Sequence, residues 1–143
     1  IPLYSLKAAA GDFSGEQSPG FVDWVRPQTS HPLRRGMFVV QVVGRSMEPL
    51  IPDGSYCIFR RTPEGARNGA VVLVERHDSP DPETGWRFTV KRYRSDRARA
   101  EIVLEPVNLE FERIVIREGG DATLRVIGEL VEVLKPDARA EPA

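Results

Sequence analysis

The sequence contains a single cysteine, Cys57, so no disulfide can form within the chain. Proteins without disulfides are typical of reducing compartments, and a cytoplasmic location is therefore predicted. Cys57 stands between Tyr56 and Ile58 in a strand-like segment. This setting favours a buried structural thiol over a nucleophile.

Long hydrophobic runs and an excess of positive charge are also missing. No apolar run approaches the roughly 18 residues needed to cross a membrane, and no signal segment is visible. The net charge of −1 argues against nucleic-acid binding by this chain alone, because phosphate contacts need a basic surface. We therefore expect no membrane contact, and DNA binding only through another domain. The chain begins with Ile1, which indicates a fragment or a processed product, so any N-terminal domain before residue 1 would lie outside it.

Helical periodicity is absent as well. Short segments rich in β-branched residues alternate with Gly, Pro and Asp, a pattern typical of all-β proteins. Strands are predicted at Ile1–Leu6, Phe21–Val25, Met37–Val43, Ser55–Arg60, Ala70–Glu75, Trp86–Tyr93, Glu101–Glu105, Arg113–Arg117 and Leu124–Leu134. The sequence thus predicts one domain over residues 1–143, with a strand and a loop in 1–19 and a flexible tail in 137–143.

Lysine and histidine are scarce, which narrows the choice of a catalytic base. The lysines are Lys7, Lys91 and Lys135, and the histidines are His31 and His77. Both histidines stand in predicted loops, beside proline or acidic residues. Lys91 instead lies in the middle of a predicted strand, on the face that it shares with Thr89 and Tyr93. If this face meets the interior, loss of hydration lowers the pKa of Lys91 and makes it a usable base.

Ser46 is the candidate nucleophile. It lies in VGRSMEPLIPDG, residues 43–54, within a Gly-to-Pro turn that follows an apolar strand. A serine hydroxyl needs a base to attack a carbonyl group, and a lysine can provide that base without histidine. Taken singly, each residue has a plainer interpretation, because a serine in such a turn often caps local backbone groups and a strand lysine is often solvated.

The turn around Ser46 has further features of a catalytic site. A short helical turn is predicted at Met47–Ile51, and the backbone N–H groups at its start, those of Ser46 and Met47, can face a developing oxyanion. Gly44 lets the backbone come close to a substrate. The residues expected to shape the site are Gly44, Pro49 and Thr89. No metal or other cofactor is expected.

These segments resemble the serine–lysine peptidase domain of LexA-type repressors, UmuD-like proteins and phage repressors, which is related in fold to signal peptidases. VVGRSMEPLIPDGSYCIF is similar to the family's nucleophile segment, and RFTVKRY to the strand that carries the base lysine. LEPVNLEFERIVI and LRVIGELVEVL are similar to two later segments of the family. The resemblance implies a mostly-β, LexA/signal-peptidase-like fold of short, strongly bent antiparallel sheets with few short helical turns.

By this resemblance, Ser46 is the nucleophile and Lys91 the general base. Self-cleaving members of the family cut an Ala-Gly bond in a loop upstream of the serine, and KAAAGDF offers Ala10–Gly11 at the corresponding place. The loop Lys7–Pro19 is small and glycine-rich, so it also fits an ordinary flexible linker. Arg45 and Ser55 depart from the family pattern and leave substrate preference open, and the hairpin loop His77–Gly85 is longer than usual for the family.

The predicted function is a self-cleaving serine–lysine peptidase in a LexA-like SOS or prophage-type regulatory response. The resemblance also implies a homodimer and stimulation by a RecA-type filament. A different class stays open: a non-cleaving dimerisation or interaction module of a larger repressor or nucleic-acid enzyme. A secretory signal peptidase has less support, because the sequence shows no membrane anchor.

Overall fold

The computed structural model describes residues 1–7, 13, 15–61, 68–77, 79–117 and 124–135, together with the backbone of 141–142. Within these ranges the protein has ten β-strands and no α-helix. The strands are β1 (Pro2–Tyr4), β2 (Phe21–Arg26), β3 (Met37–Val42), β4 (Ser55–Arg60), β5 (Val71–Arg76), β6 (Phe88–Asp96), β7 (Glu101–Glu105), β8 (Ile114–Arg117), β9 (Leu124–Val133) and β10 (Glu141–Pro142). The mostly-β fold expected from the sequence is confirmed. No helix in the described part of the chain is long and apolar enough to span a membrane.

The strands join in one sheet, in the order β10-β2-β1-β3-β4-β9-β5-β6-β7-β8. β1 and β3 run parallel, whereas the other neighbouring strands pair antiparallel. The parallel pair arises because β2 returns along the outer edge of β1, which leaves the inner edge for β3. β10 pairs with β2, although it falls in the stretch 137–143 that was expected to form a flexible tail.

The middle of the sheet is irregular where β9 lies between β4 and β5. The register of β9 shifts against β4 after Ile58 and against β5 after Leu73. Such bulges bend a strand and increase its twist. Gly128 lies in this region, and an added Cβ there would stand 2.7 Å from the backbone oxygen of Arg60. The glycine therefore allows β9 to pack closely against β4 where the sheet bends.

This bending brings two distant parts of the sheet together. β3 and β6 are four strand positions apart, which in a flat sheet would be roughly 19 Å. Nevertheless Nζ of Lys91, on β6, lies 2.9 Å from Oγ of Ser46, which follows β3. The sheet therefore curls so that the end of β3 stands over β6.

A cluster of aromatic rings fills the space inside the curl. Tyr4, Phe13, Phe38 and Phe88 are all buried. The ring of Phe13 lies 5.2 Å from that of Phe38 and 5.2 Å from that of Phe88, measured between centroids. It also makes an edge contact with Tyr4 at 4.8 Å. Because aromatic pairs at these distances are favourable beyond their burial, the cluster ties the segment after β1 to the start of β6.

Candidate active site

Ser46 lies in a tight turn between β3 and β4. The carbonyl oxygen of Arg45 accepts a hydrogen bond from the Glu48 N–H at 3.1 Å, and that of Met47 accepts one from the Ile51 N–H at 2.9 Å. The second bond has the spacing of a helical turn, in agreement with the turn predicted at Met47–Ile51. The peptide bond between Glu48 and Pro49 is cis. Pro49 is thus part of the turn that presents Ser46.

Lys91 is the fourth residue of β6 and lies opposite Val72 of β5. Its side chain points into the protein and is 5% exposed, which meets the condition under which a lowered pKa was expected. Ser46 is 7% exposed, and the Lys91 ammonium donates to its Oγ at 2.9 Å. The structure therefore brings the two candidate catalytic residues into direct contact in a buried site.

Two further side chains surround the Lys91 nitrogen. Nζ donates to Oγ1 of Thr89 at 2.8 Å and to Oδ2 of Asp81 at 3.4 Å. Thr89 in turn donates its hydroxyl hydrogen to Oδ2 of Asp81 at 2.5 Å. Thr89, predicted to shape the site, is therefore a direct neighbour of Lys91. Asp81 was not predicted from the sequence, in which it belongs to a long hairpin loop.

Opposing effects set the charge of this cluster. Burial lowers the pKa of Lys91 below its ordinary value, while Asp81 and, more weakly, Glu83 act in the opposite direction. Burial alone would raise the pKa of Asp81, but Lys91 and the hydrogen bonds from Thr89 and the loop backbone bring it below its ordinary value. Lys91 thus loses its proton more readily than an exposed lysine, although it has an anionic partner.

Asn108 donates two hydrogen bonds to the turn that carries Ser46. Its side-chain amide donates to the carbonyl oxygen of Arg45 at 3.1 Å, and its backbone N–H donates to that of Ser46 at 3.0 Å. The segment between β7 and β8 is therefore bonded to the nucleophile turn. Asn108 lies within LEPVNLEFERIVI, one of the segments that resemble the family, but the sequence pattern alone gives it no role at the site.

The hairpin loop between β5 and β6 covers the site. The carboxylate of Glu83 accepts a hydrogen bond from the Arg45 N–H at 2.8 Å. It also lies over Gly44, where an added Cβ would stand 2.4 Å from Oε1 of Glu83. Gly44 has a φ of +107°, a conformation that favours glycine. The close approach expected at Gly44 is therefore made in this structure by the protein's own loop.

The remaining space beside Ser46 and Lys91 is small. The cavity has a volume of about 20 Å³, close to that of one water molecule. Its walls include Leu6 from the segment after β1, Phe88 from β6, and Glu83 from the covering loop. A peptide substrate therefore needs the walls of this cavity to move before it can reach Ser46.

A family model described as Peptidase S24-like matches residues 2–131. The chain belongs to the Peptidase S24-like family. The resemblance drawn from the motifs around Ser46 and Lys91 is thereby confirmed at the level of the family. A comparison with curated proteins found no match.

Other residues considered from the sequence do not line the cavity of this S24-like site. His31 contacts Glu132 at 2.6 Å, and His77 contacts Glu75 at 2.9 Å. Neither contact involves Ser46 or Lys91. Burial raises the pKa of the Cys57 thiol to about 12, so this cysteine is a poor nucleophile. Within the described ranges, no group of three or more His, Cys, Asp or Glu residues could hold a metal ion.

The candidate cleavage bond, Ala10–Gly11, lies outside the described residues. The structure does describe residues on both sides of it. Leu6 is part of the cavity wall, and Phe13 packs on Phe88, which is also part of that wall. The two flanks of the candidate bond are therefore anchored beside the S24-like site.

Proposed function

We propose that this protein is a serine peptidase in which Ser46 is the nucleophile and Lys91 the general base. The observation that carries this proposal is the 2.9 Å contact between Oγ of Ser46 and Nζ of Lys91 in a buried site. Membership of the Peptidase S24-like family supports the same reaction class. The lowered pKa of Lys91 also supports it, because a base must be neutral before it can accept a proton.

We propose the Ala10–Gly11 bond of the chain itself as the substrate. Neutral Lys91 takes the proton of Ser46 while Oγ bonds to the carbonyl carbon of Ala10. The backbone N–H groups of Ser46 and Met47 stabilise the oxyanion. The Lys91 ammonium then protonates the Gly11 nitrogen as the C–N bond breaks, and water hydrolyses the remaining ester to release Ser46.

The anchoring of the loop supports cleavage within one molecule. Ala10 is four residues from Leu6, which lies in the cavity wall, and such a segment spans at most about 14 Å when extended. A bond tethered this close to the nucleophile has a high effective concentration, so a slow catalyst is sufficient for a single cut. Small residues at the bond also suit a narrow site.

The biological setting is proposed from the family resemblance. The peptidase acts in a LexA-like SOS or prophage-type regulatory response in the cytoplasm. It forms a homodimer, and a RecA-type filament stimulates its cleavage. DNA is bound only through a domain outside this chain, and the protein makes no membrane contact.

Self-cleavage is tested by incubating the folded chain over a range of pH and measuring products by mass spectrometry. We expect two fragments, 1–10 and 11–143, whose rate of formation rises with pH as Lys91 loses its proton. Because its pKa is lowered, this rise should occur below the ordinary lysine value of 10.5. Ser46→Ala and Lys91→Met should remove cleavage, a loss of at least about 1,000-fold.

Two matched variants serve as controls. Ser55→Ala removes another hydroxyl near the same turn, one that donates to the Pro52 carbonyl oxygen. Lys135→Met removes an exposed lysine. Both should cut at the wild-type rate. An intact wild-type chain at every pH would contradict self-cleavage, and cleavage by Ser46→Ala would contradict the assignment of the nucleophile.

A non-cleaving dimerisation or interaction module is the second candidate. The small cavity favours it, because the hairpin loop and the Glu83–Arg45 hydrogen bond block access to Ser46. This candidate predicts an intact chain and no reaction of Ser46 with a serine-directed phosphonate probe. Labelling of Ser46 in the wild type, lost in Lys91→Met, would contradict it.

A further inference from the structure

We propose that Asp81 is a positioning residue for Lys91: together with Thr89 it holds two N–H bonds of the amine so that the third position on nitrogen faces Ser46. This inference rests on the proposed function of Ser46 and Lys91. The residue that it adds to the site, Asp81, belongs to the loop between β5 and β6 that covers Ser46.

The order of the hydrogen bonds carries the argument. The hydroxyl hydrogen of Thr89 is given to Asp81, so its oxygen can only accept from Lys91. An ionised carboxylate can likewise only accept. Thr89 and Asp81 therefore each accept a hydrogen bond from one N–H of Lys91, whether the nitrogen is protonated or neutral. When the third proton leaves, the lone pair is directed towards Oγ of Ser46 at 2.9 Å, as a general base requires.

Asp81 is itself rigidly held. Its Oδ1 accepts hydrogen bonds from the backbone N–H groups of Glu83 at 2.8 Å and Thr84 at 3.1 Å. Its own N–H donates to the Trp86 carbonyl oxygen at 2.8 Å. The residue is 4% exposed although it belongs to a hairpin loop. Oδ1 thus accepts hydrogen bonds from the loop backbone, and Oδ2 accepts them from Thr89 and Lys91.

A purely structural role of Asp81 explains the hydrogen bonds to Oδ1 but not those to Oδ2. The bonds to Oδ1 are those of an ordinary aspartate that caps a turn. They do not require Oδ2 to lie inside the protein, in contact with both Thr89 and Lys91. Burying a carboxylate is unfavourable unless its partners compensate, so the inward position of Oδ2 indicates a function at Lys91.

Asp81 should also affect the proton affinity of Lys91. The charged groups that face Lys91 are Asp81 and Glu83, which favour the ammonium, and Arg76, which opposes it. Asp81 is the strongest of the three. Its removal should therefore make Lys91 lose its proton at lower pH, while the direction of the lone pair becomes less well defined.

Asp81→Asn tests both effects, because asparagine keeps the acceptor that caps the loop. In the full chain we expect the midpoint of the pH–rate profile for self-cleavage to fall by about one unit or more. The limiting rate at high pH should fall about 10-fold or more, since small errors in orientation are costly. Asp96→Asn, at the exposed end of β6, should change neither quantity. A folded Asp81→Asn protein with the wild-type midpoint and limiting rate would overturn the proposal.

Thr89→Val gives a second test that leaves Asp81 and the loop caps in place. It removes the other acceptor that holds the amine while the Asp81 charge stays in place, so the limiting rate at high pH should fall. A wild-type limiting rate in this variant would overturn the positioning role even if Asp81→Asn failed to fold.

Direct titration of Lys91 separates this inference from the proposed function. The chain has three lysines, so side-chain NMR signals are assigned readily by substitution. The pKa of Lys91 should be lower in Asp81→Asn than in the wild type whether or not either protein cuts itself. Equal pKa values would overturn the role of Asp81, whereas a shifted pKa with no cleavage would count against the peptidase proposal alone.

Discussion

Strand β6 carries two ion pairs that differ in their surroundings. Lys91 and Asp81 lie 3.4 Å apart, with side chains 6% and 5% exposed. Three residues further on, Arg94 and Glu105 lie 2.7 Å apart, with side chains 50% and 38% exposed. The closer pair is the one that water surrounds. Distance alone therefore does not rank the two pairs, because burial determines how strongly each charge depends on its partner.

The buried pair is costly to the fold and useful to the site. Removing two charges from water costs several kcal/mol per ion, and their attraction only partly compensates. A stable protein would gain little from such a pair at a position with no function. The exposed pair has the opposite character, since it costs little and contributes little.

The largest expected effect comes from breaking the buried pair. Lys91→Met leaves the Asp81 carboxylate uncompensated, so the free energy of unfolding should fall by about 3–5 kcal/mol. Urea denaturation followed by circular dichroism measures this change. The double variant Lys91→Met/Asp81→Asn removes both charges and should recover most of the loss. If the single and double variants were equally stable, the two residues would not be coupled.

A smaller effect is expected from acid titration. Because the pKa of Asp81 is lowered on folding, its ionised form contributes stability above the ordinary aspartate value of 3.8. This contribution should be lost as the pH falls through the lower, folded value. Each unit of difference corresponds to about 1.4 kcal/mol. The stability difference between wild type and Asp81→Asn should therefore decrease below pH 3.8.

Asp96→Asn provides the matched control for the acid titration. Asp96 lies on the same strand with a side chain 42% exposed. Its removal leaves the contact between Asp81 and Lys91 in place, so Asp96→Asn should lose stability on acidification as the wild type does. A difference between wild type and Asp81→Asn that stays constant over this pH range would show that Asp81 gains no stabilisation from its partners in the folded state.

The smallest effect is expected at the exposed pair. Arg94→Met should lower the free energy of unfolding by less than about 1 kcal/mol. That loss should disappear at about 1 M salt, which screens exposed charges, whereas the effect of Lys91→Met should persist. Denaturation at low and high salt measures both. An Arg94→Met effect as large as that of Lys91→Met would contradict the importance of burial.

The sequence was sufficient to predict Ser46, Lys91 and Thr89 as members of one site. Ser46 lies in a distinctive Gly-to-Pro turn, and strand alternation puts Lys91 and Thr89 on one face. Both signals are local, so they can be read without knowing the fold. The family match confirms the class to which these motifs belong, and the catalytic roles stay predictions.

Asp81 and Asn108 could not be assigned in the same way. Each lies in a loop, where no periodicity indicates the direction of a side chain. Asp81 joins the site because its loop folds over Ser46, and Asn108 because the segment after β7 is bonded to the same turn. One signal was available for Asp81: if Lys91 is buried, it needs an acceptor, and the adjoining loop contains three acidic residues, at positions 78, 81 and 83.

The position of β9 has a consequence for the timing of synthesis. β9 is hydrogen-bonded to β4 on one side and to β5 on the other, and it follows every residue of the site in the chain. While a ribosome is still making residues 124–133, the strand that joins the two halves of the sheet does not yet exist. The half that carries Ser46 and the half that carries Lys91 are therefore held together fully only when translation has passed β9. Under the proposed self-cleavage, this order delays the reaction until the strand that joins the two halves has been made.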